Sequence, residues 1–159
     1  MKMKVAALLI AASFSAPGFS PAEESYRGPL PDRQREIIHE MADNHEKIKR
    51  EVELNKKGYT ARTTSDDAEI AALLKEHFAY MKKRMGAGAM VRRWDPAFVE
   101  MVEHHDDITI TEKEVEGGLE VRVVGKTKDA IKVAKNHAQI ISGFVRTGEV
   151  HKEHPRALR

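Results

Sequence analysis

Four of the eight histidines recur at a fixed interval. His45 and His105 lie 60 residues apart, as do His77 and His137, and 32 residues separate the two histidines within each half. Neutral imidazole is the commonest metal ligand in proteins, and Zn, Cu, Ni and Fe all accept it. Two enclosed imidazoles can also ligate a non-covalent haem b from opposite faces. Asp43, Glu46, Glu103 and Asp106 stand close in sequence to the first pair and could complete or orient such a site. Against this stands the plainer expectation, that each ring is a core residue bonded to backbone or neighbours. The 32-residue spacing matches no compact metal motif. A metal site would need at least three donors converging on one point, and a haem site two facing rings with an apolar slot between them.

Other chemistry-bearing residues have simpler expectations. Arg62 and Arg122 fall on the polar phase of alternating stretches, where a cross-strand ion pair with Glu51, Glu53 or Glu120 is expected. Met81, Met85, Met90 and Met101 could suggest a thioether site for Cu(I), but methionine at helical spacing is ordinarily core filler. Trp94 is expected to pack the mid-chain linker against the core. His39, His104, His151 and His154 are expected in solvent, the last two in a terminal HKEHPRALR segment. No G-x-S-x-G, P-loop, H-E-x-x-H or dinucleotide fingerprint occurs. Asp66-Asp67 suits the start of a helix and Asp106-Asp107 a solvated turn. An enzyme survives as a reading only because a buried histidine can serve as acid and base.

The elements that position these residues come in duplicate. Residues 40–88 laid over 100–148 match without a gap at Glu40/Glu100, Met41/Met101, His45/His105, Ile48/Ile108, Gly58/Gly118, Arg62/Arg122, Lys75/Lys135, His77/His137 and Gly88/Gly148. Element type and order agree as well, which marks an internal duplication. Asp32 is expected to cap a helix carrying Ile37, Ile38 and Met41, and Asp95-Pro96 to open its counterpart with Phe98, Met101 and Val102. Arg50, Val52 and Leu54 alternate with charged residues, a turn follows at Lys56-Lys57-Gly58, and Tyr59, Ala61 and Thr63 alternate again. The same hairpin runs from Ile108 to Val124 around Gly117-Gly118. Ser65 or Asp66, with Glu69 as partner, caps a helix bearing Leu73, His77, Phe78 and Met81. Thr127 opens the matching helix with Ile131, His137, Ile141 and Phe144. The expected fold is α+β: two tandem helix–β-hairpin–helix repeats forming a four-stranded antiparallel sheet with helices on one face. One half alone would bury a marginal core, so both halves are expected to share one.

The expected organisation is a signal peptide at 1–22, a flexible leader at 23–31, one domain at 32–150 (repeats 32–91 and 92–150) and a polar tail at 151–159. Two lysines, the apolar run Val5–Phe14, and Ser20 and Ala22 ahead of Glu23 give the three-part layout of an exported precursor. The run is too short to span a bilayer, which takes roughly 20 residues. The 159-residue chain carries 27 Lys+Arg against 25 Asp+Glu and no cysteine. Disulfides, thiolate metal sites and covalently attached haem are thereby excluded. Loss of Lys2 and Lys4 with the signal would bring the mature net charge from +2 to zero. A neutral chain offers no field for nucleic acid or for anionic lipid, and no membrane insertion is expected after cleavage.

At TTSDD (Thr63–Asp67), at the following helix with His77 and at RRWDPAF (Arg92–Phe98), the sequence resembles a family of small exported bacterial proteins with TSDD and WDP-x-F motifs. The resemblance covers about residues 36–150. It implies a periplasmic setting alongside c-type cytochromes. The second half departs from TTSDD, reading VVGKTKD at 123–129, so any role of those acids belongs to one half. The leading expectation is a periplasmic binding protein holding a transition metal or haem through His45, His77, His105 and His137. The alternative is a non-catalytic accessory module of an electron-transfer system with structural histidines. Either admits a periplasmic redox partner and a homo-oligomer.

Overall fold

A computed structural model describes residues 25–159. The expected signal peptide at 1–22 lies outside the described residues. The first half comprises α1 (Asp32–Asp43), a 3-10 turn (His45–Lys47), β1 (Ile48–Asn55), β2 (Gly58–Ser65) and α2 (Ala68–Gly86). The second comprises α3 (Pro96–Glu103), a 3-10 turn (His105–Asp107), β3 (Ile108–Val115), β4 (Gly118–Gly125) and α4 (Lys128–Thr147). Both turns and all four strands keep the 60-residue offset without slippage. The fold is the α+β arrangement expected from the duplication.

The sheet order is β1-β2-β4-β3, antiparallel throughout. Register gives the symmetry. Ile48 faces Ser65 in the first hairpin and Ile108 faces Gly125 in the second, the same alignment shifted by 60. Where the halves meet, Ala61 pairs with Val121, Gly58 with Val124 and Thr64 with Gly118. These pairs are symmetric about Ala61/Val121, so a pseudo-twofold axis passes between β2 and β4. A one-residue slip there would turn every apolar side chain outward. Instead Tyr59, Ala61, Leu119 and Val123 are buried on one face, against α2 and α4. Arg62 and Arg122 are exposed on the other face. Arg62 stands opposite Glu51 and Glu120, and Glu120 opposite Lys113, so charges alternate in one row across all four strands.

Helix starts differ in detail from expectation. Asp32 is the first helical residue of α1 rather than its cap. Pro31 holds the capping position and makes no side-chain bond. Asp67, not Ser65 or Asp66, caps α2, accepting from the backbone N–H of Glu69 and Ile70 at 3.0 and 3.3 Å. The Ser65 hydroxyl stands one step before the cap, donating to the Lys47 carbonyl at 2.8 Å and accepting from the Asp67 N–H at 3.1 Å. Asp95 and Thr127 cap α3 and α4 as their sequence suggests. Trp94 is 46% exposed and does not pack the linker into the core.

The two flanks of the domain are docked rather than loose. In the expected leader, the Gly28 carbonyl accepts from Arg84 Nη2 at 2.6 Å and Tyr26 stacks obliquely on Tyr80. In the expected tail, His154 donates from its backbone N–H to Asp95 Oδ1 and lies 2.8 Å from Asp95 Oδ2 through Nδ1. The backbone N–H groups of Ala157 and Leu158 donate to Glu100 at 2.6 and 3.1 Å. Asp95 and Glu100 are fully buried. A buried carboxylate needs donors, and the segment written off as solvated supplies them.

Candidate functional site

A cavity of about 270 Å³ lies between the inner face of the sheet and the helices, with α2 and α4 along its sides. Most of its wall is apolar, with Met81 and Met85 from α2, Phe98 from α3, and Ile141 and Phe144 from α4. His77 and His137 line it from equivalent turns of the two long helices. By accessible area both rings are only half-buried, yet both lie deep in the fold. The difference is the cavity, onto which their remaining surface opens. The Nδ1 atoms of both rings are buried and bonded to nothing. Burial lowers the His77 pKa from 6.5 to about 4, helped by the nearby Arg92 cation. His137 is likewise lowered to about 4, by burial first, then by Arg50 and Arg92. Both rings are therefore neutral at ordinary pH.

His45 also lines this cavity, but one ring nitrogen is committed: Nδ1–H donates to the Val145 carbonyl on α4 at 2.9 Å. That bond fixes the tautomer and leaves Nε2 as the acceptor of the neutral ring. His105 stands apart from the cavity. Its Nδ1–H donates to the Val102 carbonyl at 2.8 Å, and Nε2 lies 3.3 Å from the exposed carboxylate of Asp106. The fold thus brings His45, His77 and His137 to one wall and leaves His105 outside it. Among the described residues, no three His, Asp or Glu side chains converge as a group that could hold a metal ion.

Two cations complete the wall. Arg92 lies among three aromatic rings, 4.7 Å from the Phe144 centroid, 4.9 Å from Phe98 and 5.1 Å from Trp94. Its Nη1 is buried without a hydrogen bond, and the nearest carboxylate, Asp95, is 4.0 Å away and already engaged by His154. Arg50 reaches inward from β1, donating from Nη1 to the Thr63 hydroxyl at 2.7 Å and from Nε to Ser142 at 3.3 Å. Burial lowers the pKa of both guanidinium groups. Burial also raises the phenol of Tyr59, with Arg50 opposing. A more open surface pocket adjoins the cavity at His45, Ile48, Arg50 and Val145, and Glu46, Ser142 and Arg146 line its outer part.

From sequence Arg92 reads as part of a solvated basic patch beside the linker, whereas its side chain is only 11% exposed. A signal existed for Arg50, a charge standing in the apolar phase of β1 between Ile48 and Val52. None existed for the burial of Arg92, which meets Trp94 and Phe98 of its own segment together with Phe144 of the distant α4. No helix among the described residues is long and apolar enough to cross a membrane. Compared with family models, curated proteins and solved structures, the chain matches none of them.

Proposed function

We propose that this protein is an exported, non-catalytic binding protein that encloses a small, largely apolar ligand between its sheet and helices α2 and α4. One observation carries the reading: an apolar cavity of about 270 Å³ is fitted with two neutral imidazoles, His77 and His137, whose Nδ1 atoms are unbonded. Interiors are close-packed. An apolar wall left facing water forgoes the stabilisation of burial, which an apolar ligand restores, and a few convergent polar groups in an apolar wall are the ordinary anatomy of a small-molecule site. Export to the periplasm rests on the layout of residues 1–22.

Non-covalent haem is the second reading, favoured by the same neutral rings, with His77 and His137 as the residues that would hold its iron. A porphyrin is larger than the cavity, so α2 and α4 would have to part or leave it partly outside. A bare transition-metal ion draws less support, since among the described residues no three His, Asp or Glu side chains converge. The accessory-module reading keeps the imidazoles purely structural.

Protein purified from the periplasm is examined by native mass spectrometry, visible absorption and metal analysis, beside a His77→Ala/His137→Ala variant. The expected result is a bound small molecule in the wild type that the variant holds weakly or not at all. A Soret band selects haem. Wild type and variant that both emerge empty, and that bind an apolar fluorescent probe equally, overturn the proposal.

A further inference from the structure

The two halves share a backbone plan, so the places where they differ chemically report what the cavity holds. On the inner face of the sheet, Arg50 stands opposite Thr63. The pseudo-twofold carries that pair onto Ile110 opposite Val123. The same two positions are therefore a cation and a hydroxyl at one end of the cavity and two aliphatic side chains at the other. All four residues line it.

Charge bookkeeping sharpens the contrast. Lys82, which also borders the cavity, is paired with Glu112. Arg92 has Asp95 at 4.0 Å. Arg50 is met by the hydroxyls of Thr63 and Ser142 and by the buried Tyr59 phenol, and among the described residues no carboxylate pairs with it. A largely buried cation without a counter-ion is costly, and proteins ordinarily supply one. Arg50 also sits where the cavity meets the outer pocket of Glu46, Ser142 and Arg146, so a charged group there would keep partial contact with water, and Glu46 makes no ion pair with Arg50.

We propose that the ligand is an amphipathic carboxylate, its headgroup held by Arg50 with Thr63 and Ser142 and its hydrocarbon body directed toward Ile110 and Val123. This rests on the cavity being a ligand site, as proposed above, and adds the ligand's chemical class and orientation. Size follows from volume. A cavity of about 150 Å³ accommodates benzene, so 270 Å³ holds on the order of eleven non-hydrogen atoms, a medium-length acyl chain. Arginine suits the task because its planar fork donates two parallel hydrogen bonds to a carboxylate.

Decanoate, decanol and decylamine are titrated by calorimetry into the full mature chain and into its Arg50→Gln variant. The wild type is expected to bind decanoate at least about tenfold tighter than decanol, the increment of one charge-assisted hydrogen bond, and decylamine more weakly still. Arg50→Gln is expected to erase that preference by bringing decanoate affinity down to that of decanol. Nuclear Overhauser contacts in the wild type, which need no variant to fold, are expected between the chain's C2 protons and the Thr63 methyl, and between its terminal methyl and Ile110 or Val123. Equal binding of decanoate and decanol, an unaltered preference in Arg50→Gln, or the reversed contact pattern overturns the carboxylate proposal and leaves the cavity reading standing. Failure of all three probes to bind overturns both.

Discussion

The imidazole of His45 fills the space that a β-carbon on Gly148 would need: its Cδ2 lies 2.7 Å from that position. The other half repeats the arrangement, with the His105 ring 3.1 Å from the equivalent position on Gly88. Both glycines have a left-handed backbone, φ +69° at Gly148 and +64° at Gly88. Two pairs of identities between the halves are thus one contact made twice. Each long helix ends in a glycine turn that closes over the other half's histidine, so His45 and His105 read first as anchors of the shared core.

Substituting these glycines should separate backbone strain from crowding. Left-handed conformation costs an L-residue roughly 1–2 kcal/mol, which both positions share. Gly148→Ala also drives Cβ to 2.8 Å from the Ala42 carbonyl oxygen, which is backbone and cannot swing aside. Gly88→Ala meets only a side-chain ring. Urea unfolding should show both variants destabilised, Gly88→Ala by about 1–2 kcal/mol and Gly148→Ala by clearly more. The reverse order would contradict the contact described.

The depressed pKa values of His77 and His137 make stability depend on pH. Each ring titrates near pH 4 folded against 6.5 unfolded. Between those values the unfolded chain binds more protons, so stability is fully present above about pH 6.5 and is lost as pH falls toward 4. At 1.36 kcal/mol per unit, each ring contributes on the order of 3 kcal/mol to that loss. Carboxylates titrate in the same range, so the informative quantity is the difference between wild type and His77→Leu/His137→Leu. The variant should lose markedly less unfolding free energy between pH 7 and 4.5. Parallel curves would mean that the rings are hydrated in the native state.

Much of this architecture was legible because it rests on local pattern. Alternation in Arg50–Leu54 and Tyr59–Thr63 marks strands, and the 60-residue offset carries the same reading to Ile108–Val124 without slippage. Asp95-Pro96 and Thr127 announce their helices because a cap is a contact of two or three residues. The cavity wall was partly legible: His77 and His137 were drawn to it by their place in an apolar stripe. Convergence was not. Whether Arg92 meets Phe98 and Phe144, or Asp95 meets His154, depends on segments up to 59 residues apart. Hydropathy marks His151–Arg159 as solvated, and only tertiary structure reveals the two buried carboxylates that hold it.

Capping gives a contrast between neighbours. Asp67 accepts two backbone N–H groups at the start of α2 and pairs with Lys47 at 2.9 Å, and these bonds hold its carboxyl below the usual range. Asp66 is exposed and pairs with Lys49. Asp67→Ala should cost about 1 kcal/mol, as loss of a cap ordinarily does. Asp66→Ala should change stability by less than about 0.5 kcal/mol, as exposed ion pairs do. Equal effects in thermal or urea unfolding would show that the pair acts as a shared helix-start charge instead.

Removal of residues 154–159 tests whether the C-terminal segment is part of the domain. The truncation strips His154 from Asp95, and Ala157, Leu158 and Arg156 from Glu100, leaving two fully buried carboxylates short of donors. Breaking one partner away from a buried charge costs about 3–5 kcal/mol. Asp95 keeps the Ala97 N–H, and water can enter where the strap has left, so the expected loss is toward the low end, roughly 3 kcal/mol. Glu100→Gln in the full chain should be destabilising, because its amide nitrogen would face one of the backbone donors that the carboxylate accepts. Glu100→Gln placed on the truncated chain should be nearly neutral or stabilising, since it removes a charge that no longer has partners. A truncated protein as stable as the full chain would show that the segment merely rests on the surface, and that Asp95 and Glu100 find their donors elsewhere.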